Sequence, residues 1–211
     1  KQFTSMAVMQ LQEQGKLTFS FVDLNDLDAI DAAIHPATQI VWAESPTNPL
    51  LNIVDFTQLG EFCARKKLTL IVDNTFMTPL LQRPFDFGAD IVMHSTTKYI
   101  NGHADVISGV VVARRNEHLK KIQLAVRAYG FAAGPFDCWL TLRGSKTLAL
   151  RLKQHQENAA AIAAFQEALK TVSTDQVEEV VIDLSQVAFL DSAALGLLMI
   201  SHRQLDGVKR T

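Results

Sequence analysis

The chain has 211 residues, of which 48% are hydrophobic and 20% charged, and its formal net charge is −2 at pH 7. These values exclude a disordered chain, a collagen and a small disulfide scaffold, and they predict a soluble globular protein of one large domain or two small ones. The 20 basic and 22 acidic residues nearly balance, and no apolar run is long enough to cross a bilayer, so neither nucleic acid nor a membrane is an expected partner. The two cysteines, Cys63 and Cys138, are far apart in the sequence, which favours the reducing cytoplasm over a disulfide framework.

Short β-branched, apolar runs alternate with helical patterns along the first part of the chain. The runs are residues 17–22, 39–42, 68–72, 90–93 and 106–113, and the clearest helical patterns are residues 26–34 and 55–66. This alternation predicts an α/β fold with a mostly parallel sheet flanked by helices.

The last part of the chain has a different pattern. Residues 140–170 contain no proline and a single glycine, Gly144, which predicts one long helix or two in tandem. Residues 171–175 interrupt this pattern before a further strand at 180–184 and an apolar helix at 192–205. We therefore place a domain boundary within residues 164–175.

Polar residues follow three of the predicted strands directly, in residues 44–49, 71–75 and 94–98. Because the carboxyl ends of parallel strands meet at one edge of a sheet, these residues are expected to share a cleft. An amine, an aspartate and several hydroxyls together suit an aldehyde cofactor with an anionic tail and a ring nitrogen. Taken singly, Lys98 fits a solvated surface lysine, Asp73 a turn or helix cap, and Ser95 and Thr97 loop hydroxyls.

The joint pattern closely resembles the Cys/Met-metabolism group of pyridoxal-phosphate enzymes, which includes cystathionine γ-synthase, the cystathionine lyases and methionine γ-lyase. Residues 17–164 carry the resemblance in unbroken order. The motifs are Val72-Asp73-Asn74-Thr75-Phe76, His94-Ser95-Thr96-Thr97-Lys98-Tyr99-Ile100-Asn101-Gly102-His103, residues 44–49, residues 134–137 and residues 142–148. The resemblance implies the three-layer large domain of this group, pyridoxal phosphate as cofactor, and sulfur amino acids or activated homoserine derivatives as substrates.

The resemblance also implies roles for single residues. Lys98 matches the lysine that forms the Schiff base and moves the α proton of the substrate, and Asp73 matches the acid that pairs with the pyridine nitrogen. Ser95 and Thr97 match phosphate-binding hydroxyls. Thr75 matches a contact beside the ring, and Asn48 a contact near the cofactor oxygen and the substrate carboxylate.

Three parts of the family's site have no match in this sequence. They are the Ser-Gly-Met phosphate turn, the tyrosine that stacks on the ring, and the arginine that binds the substrate carboxylate. Residues 4–7 only faintly resemble the phosphate turn and lack its glycine. We therefore expect a fragment or chimera of a sulfur-amino-acid lyase or transferase with impaired or no turnover. The resemblance also leaves open that the chain forms a homo-oligomer.

Residues 165–211 resemble part of a STAS domain, the fold of anti-sigma-factor antagonists. Residues 180–196 match its central strand, loop and helix, and Ser192 matches the serine that is phosphorylated in kinase-regulated members; Asp191 and Ser192 also fit a simple helix N-cap. This predicts a chimera of residues 1–164 and 165–211, with the strand at 180–184 placed beside the first sheet. Two alternatives remain: a recombined or engineered chimera without catalytic function, and a STAS-like binding module regulated at Ser192. No metal site is expected, because His94 and His103 lack the spacing of metal ligands.

Overall fold

The computed structural model describes residues 15, 17–170, 179–180 and 209–210. The chain divides into two compact units, Lys1–Ala149 and Leu150–Thr211. All residues predicted to bind the cofactor belong to the first unit.

A four-stranded sheet forms the centre of the first unit. Its strands are β1 (Ile40–Glu44), β2 (Thr69–Asp73), β3 (Ile91–Ser95) and β4 (Gly109–Ala113), and they lie side by side in that order. The pairs β1–β2 and β2–β3 are parallel, whereas β4 runs antiparallel to β3. The mostly parallel sheet expected from the sequence is thus confirmed, and the run at residues 106–113 forms a strand only from Gly109.

Helices connect and flank the strands. They are α1 (Leu27–Ala33), α2 (Phe56–Lys66), the short α3 (Thr78–Leu81), a 3-10 turn (Pro84–Phe87), α4 (Asn116–Tyr129), α5 (Pro135–Ser145) and α6 (Leu148–Lys170). Asp26 and Asp55 cap α1 and α2 by accepting hydrogen bonds from the first-turn amides, which explains why the predicted helices at 26–34 and 55–66 begin where they do. Hydrogen bonds from two Gln58 N–H groups and from Thr57 lower the pKa of the Asp55 carboxyl.

The core lies between α2 and one face of the sheet. Val41, Ala43, Leu70, Val72 and Val92 are buried on this face, because alternate residues of a strand point to the same side. Leu59, Phe62 and Cys63 of α2 belong to the same cluster. Since α2 is the crossover between β1 and β2, this packing also determines that the two strands are parallel and end at the same edge.

One predicted strand is wrong. Residues 17–22 form no strand, and Phe21 is 93% exposed. Val22 is partly buried and packs against the core. A strand requires a neighbour for its backbone N–H and C=O groups, and the described part of this segment has none in the sheet.

The helical prediction for residues 140–170 is confirmed in its second form, because these residues lie in two helices in tandem, α5 and α6. The division between the two compact units falls inside α6, and the domain boundary placed within residues 164–175 stays a prediction. Most of the described side chains of α6 from Leu150 onward are exposed.

In the second unit, Glu179–Val180 pairs in parallel with Lys209–Arg210 in a separate two-stranded sheet. The placement of residues 180–184 beside the first sheet stays a prediction. The remaining residues of that segment, and Asp191 and Ser192 with them, lie outside the described residues. The proposals of a STAS-like segment and of a phosphorylated Ser192 stay predictions.

Candidate active site

The polar residues singled out from the sequence lie where β1, β2 and β3 end, here called the carboxyl edge. Asp73 is the last residue of β2 and stands opposite Glu44 of β1 and Met93 of β3 in the strand register. Ser95 is the last residue of β3. The parallel arrangement of the three strands therefore brings the predicted segments to the same edge, as the sequence implied.

A buried amide cluster closes one part of this edge. We call Ser45, Asn74, Thr78 and Gln82 the Asn74 cluster. Asn74 is fully buried and donates from Nδ2 to the carbonyl oxygens of Thr78 (3.1 Å) and Gln82 (2.8 Å). Gln82 Nε2 in turn donates to Asn74 Oδ1 (2.8 Å) and to the carbonyl oxygen of Ser45 (3.3 Å). All four of these hydrogen bonds join protein groups to each other. They connect the residues that follow β1 and β2 to α3 and to Gln82 beyond it, so the cluster has a structural role.

Thr75 joins the exits of β2 and β3. Its Oγ1 accepts a 2.8 Å hydrogen bond from the backbone N–H of Ser95, and its own N–H donates to Asp73 Oδ1 at 3.0 Å. The half-buried Asp73 carboxylate retains further acceptor capacity after this bond. These two bonds hold the carboxylate of β2 at a set position beside the segment that leads from Ser95 to Lys98.

The hydroxyl of Thr97, in the same segment, is hydrogen-bonded to the backbone of Ser108. Its Oγ1 accepts from the N–H of Ser108 (3.0 Å) and donates to the carbonyl oxygen of Ser108 (3.1 Å). A hydroxyl has a single proton to donate. To donate to a phosphate group, Thr97 must therefore release the Ser108 carbonyl, whereas Ser95 lies at the strand end itself.

Lys98 follows β3 within a tight turn and its side chain is exposed. The backbone N–H of Lys98 donates to the carbonyl oxygen of Ser95 at 3.2 Å. The exposed amine is accessible to a ligand at the carboxyl edge.

Asn48, predicted from the resemblance, lies on the loop that follows β1. Its side chain is exposed, and the loop is braced next to it by Thr47, whose Oγ1 accepts from the N–H of Asn52 at 3.0 Å. Gln82 connects the start of this loop to Asn74 through the Ser45 carbonyl. The loop thus belongs to the carboxyl edge, and a contact of Asn48 with a ligand stays a prediction.

His94 is the buried titratable group beneath this edge. Its side chain is 5% exposed, and burial lowers the pKa of the imidazole below 6.5, while a hydrogen bond to the Asn74 backbone and the negative charge of Asp73 act in the opposite direction. Nδ1 of the ring has no hydrogen-bond partner among the described residues. The neutral ring supports the turn at Asn74, a role that the sequence pattern did not reveal.

The sequence analysis also missed two residues that support the turn at Lys98, namely Asn101 and Gly144. Asn101 is 1% exposed, and its Nδ2 donates to Asp105 Oδ1 at 2.6 Å. Gly144 of α5 lies against Asn101. The signal was visible in the sequence, because Gly144 is the single glycine in an otherwise glycine-free helical stretch.

The comparisons with known proteins agree with this geometry. The pattern of the family described as Cys/Met metabolism PLP-dependent enzyme matches residues 2–182. The chain belongs to this family. The match continues past residue 164, so residues 165–182 of the predicted STAS-like segment lie within it. Pyridoxal phosphate is the cofactor of the family. The carboxyl edge bears an amine, a carboxylate and hydroxyls, groups of the kind that bind such a cofactor.

Individual relatives give the same result. The chain is 49% identical over 151 residues to cystathionine gamma-lyase of Dictyostelium discoideum, covering 72% of this chain and 39% of that protein. It is 49% identical over 144 residues to cystathionine gamma-synthase of Mycobacterium bovis, covering 68% and 37%. Among solved structures, cystathionine gamma-lyase of Lactobacillus plantarum complexed with L-serine has a TM-score of 0.75 and 41% identity, covering 80% of this chain and 43% of that chain.

A further similar structure was solved with two bound ligands. Cystathionine gamma synthase of Xanthomonas oryzae pv. oryzae, in complex with aminoacrylate and cysteine, has a TM-score of 0.74 and 42% identity, and this chain covers 43% of it. The chain thus spans well under half the length of these family members. Within the described residues, no helix is long and apolar enough to cross a membrane, and no group of His, Cys, Asp or Glu side chains could hold a metal ion.

Proposed function

We propose that this chain carries the cofactor-attachment half of a pyridoxal-phosphate site for sulfur amino acids, with Lys98 as the residue that bonds the cofactor aldehyde. The observation that carries the proposal is the 2.8 Å bond from the Ser95 N–H to Thr75 Oγ1, which joins the strand bearing Asp73 to the turn bearing Lys98. The family match supports the chemistry. Substrates of the class named for the relatives, cysteine and cystathionine, belong to the proposal as well.

Each residue at the edge has a separate task. Asp73, held through Oδ1 by the Thr75 N–H, would keep a proton on the ring nitrogen by its negative charge. Ser95 and Thr97 would donate hydrogen bonds to the phosphate, Thr97 after release of Ser108, and Thr75 and Asn48 would border the ring and the substrate. The bound cofactor supplies an electron sink at the α carbon of an amino acid. The Lys98 amine, set free when the amine of the substrate takes its place on the cofactor aldehyde, would then remove the proton from that carbon as the general base.

Absorbance and covalent trapping test the attachment. The chain, incubated with pyridoxal phosphate, is expected to develop the visible band of a cofactor–lysine adduct, and borohydride followed by peptide mapping should place the label on Lys98. Lys98→Ala should abolish the label. Lys121→Ala serves as the matched control, because Lys121 is an exposed lysine on α4 and belongs to none of the segments that follow β1, β2 and β3, and this variant should label as the wild type does.

Turnover is a second, separable part of the proposal. We propose that these residues attach the cofactor but turn over cystathionine slowly or not at all, because none of them matches the family's phosphate turn, its ring-stacking tyrosine or its carboxylate-binding arginine. Release of ammonia or a thiol at the rate of a complete lyase would contradict this part. Absence of any label on Lys98 at millimolar cofactor would contradict the attachment and would support a chain whose site is vestigial.

A further inference from the structure

The turn that carries Lys98 is closed by the two residues that complete it, rather than by contacts of the lysine side chain. The N–H of Asn101 donates to the carbonyl oxygen of Thr96 at 3.0 Å, and the N–H of Gly102 donates to the carbonyl oxygen of Lys98 at 2.8 Å. The side chain of Lys98 is exposed. The position of its amine therefore depends on how firmly Asn101 and Gly102 hold the backbone.

Asn101 is itself anchored on two sides. Its Nδ2 donates to Asp105 Oδ1 at 2.6 Å, and its carbonyl oxygen lies 2.6 Å from Nδ1 of His103. The residue is 1% exposed, so an unpaired amide there would lose its hydrogen bonds without compensation from water. These contacts bind Asn101 to the loop that follows the turn.

The third anchor is the glycine of α5. A Cβ atom added at Gly144 would lie 2.9 Å from Asn101 Oδ1 and 3.0 Å from the Asn101 carbonyl carbon, and nearer still to the carbonyl oxygen. No real Cβ tolerates this approach without movement of the backbone. Glycine inside a helix costs up to about 1 kcal/mol relative to alanine, so a close contact is the physical reason for a glycine here.

We propose that Asn101 and Gly144 are positioning residues for Lys98. Because Gly144 has no side chain, Asn101 can pack directly against α5, and Asn101 in turn fixes the backbone of the turn from which the Lys98 side chain extends. The inference rests on the proposed function, because that function assigns Lys98 the bond to the cofactor. Neither residue is required to touch the cofactor. Their effect is on where the amine stands relative to Asp73.

Two alanine substitutions in α5 and its cap test the inference. Gly144→Ala should push Asn101 away, and since a misplacement of about 1 Å can cost about 100-fold in rate, we expect cofactor attachment at Lys98 to slow roughly 100-fold. Gly134→Ala is the matched control, because a Cβ at Gly134 meets only Asp137 Oδ2 at an ordinary 3.4 Å. This control should keep the wild-type rate.

Amide hydrogen exchange in the cofactor-free chain gives a readout that does not depend on the cofactor. Gly144→Ala should accelerate exchange of the Asn101 and Gly102 amides, while the amides of Leu70 and Val72 in the core keep their protection. Acceleration across the whole core would show a general loss of stability and would overturn the positioning role.

A second pair of variants decides the question if Gly144→Ala fails to fold. Asp105→Ala removes the acceptor of Asn101 Nδ2 and should slow attachment and loosen the same two amides, whereas Asp105→Asn keeps an acceptor oxygen and should restore both. Equal behaviour of Asp105→Ala, Asp105→Asn and the wild type would overturn the inference. If the wild type attaches no cofactor, the proposed function fails, and the exchange data alone still decide whether Asn101 is held by Gly144 and Asp105.

Discussion

Two polar regions stand at the same edge of the sheet and differ in nearly every physical respect. The side chains of the Asn74 cluster form their hydrogen bonds with other protein groups. Asn74 Nδ2 donates to the Gln82 carbonyl oxygen, and Gln82 Nε2 donates to Asn74 Oδ1. The turn at residues 95–102 instead fixes its backbone and leaves the side chain of Lys98 exposed. Polar residues that follow strands therefore serve two purposes here: one set joins the elements, and the other presents a reactive group.

The energetic consequences follow from burial. Removing a partner inside the Asn74 cluster leaves buried amides and carbonyls unpaired, and each unpaired group costs about 1 to 3 kcal/mol. Removing an exposed side chain leaves nothing unpaired, so the folded state is barely affected. Four measurements test this division between the two regions.

The largest effect is expected for Asn74→Ala. The substitution removes two donor bonds and one acceptor bond at a fully buried position, and we expect a loss of about 3 kcal/mol in the free energy of unfolding. Urea denaturation measures it, and Asn48→Ala, the same change at an exposed asparagine, is the control. A loss no greater than that of Asn48→Ala would remove the distinction between the two regions.

Thr75 connects the two regions, so its hydroxyl should matter to both. Thr75→Val keeps the shape but leaves the N–H of Ser95 without its acceptor, and we expect a loss of about 1 to 2 kcal/mol, together with weaker cofactor attachment at Lys98. Thr18→Val, at an exposed position outside the helices and strands, should stay within about 0.5 kcal/mol. Unchanged stability and attachment in Thr75→Val would show that the two exits are held by other contacts.

His94 makes the stability of the joined regions depend on pH. Burial holds the pKa of the folded imidazole below the 6.5 of the unfolded chain, so below pH 6.5 the unfolded state binds a proton that the folded state refuses. Stability is then complete above pH 6.5 and falls as the pH drops through that value, by at most about 1.4 kcal/mol per pH unit for one proton. Urea midpoints across this range should slope less in His94→Gln than in the wild type, and equal slopes would assign the dependence to other groups.

The smallest effect on stability is expected for Lys98→Ala, the same variant that should abolish cofactor labelling. Because the side chain is exposed, the free energy of unfolding should change by less than about 0.5 kcal/mol. A loss comparable to that of Asn74→Ala would mean that the turn relies on the lysine side chain, contrary to the contacts through Asn101.

Much of the fold could be predicted because it depends on local signals. The caps at Asp26 and Asp55 and the alternation of buried positions in β2 are short-range features, and each gives the observed helix or strand. Residues 17–22 show the limit, since alternation of polar and apolar residues cannot supply the neighbouring strand that pairing requires. The division of the chain inside α6 is likewise a matter of packing and not of helix-forming residues.

The sequence by itself determined the sheet of alternating strands and helices, the family, and the residues that meet at the carboxyl edge, because the order of strands and motifs is written along the chain. The tertiary structure alone decided which of these polar residues are buried and hydrogen-bonded to other protein groups, and which are exposed to solvent and ligands. Asn74 and Lys98 are both polar residues that follow neighbouring strands in the sequence. Burial depends on what packs around a residue. Gln82, which hydrogen-bonds Asn74, also contacts Ser45, and Gly144 lies against Asn101 at the Lys98 turn. The Gln82–Ser45 and Gly144–Asn101 contacts join residues far apart in the chain.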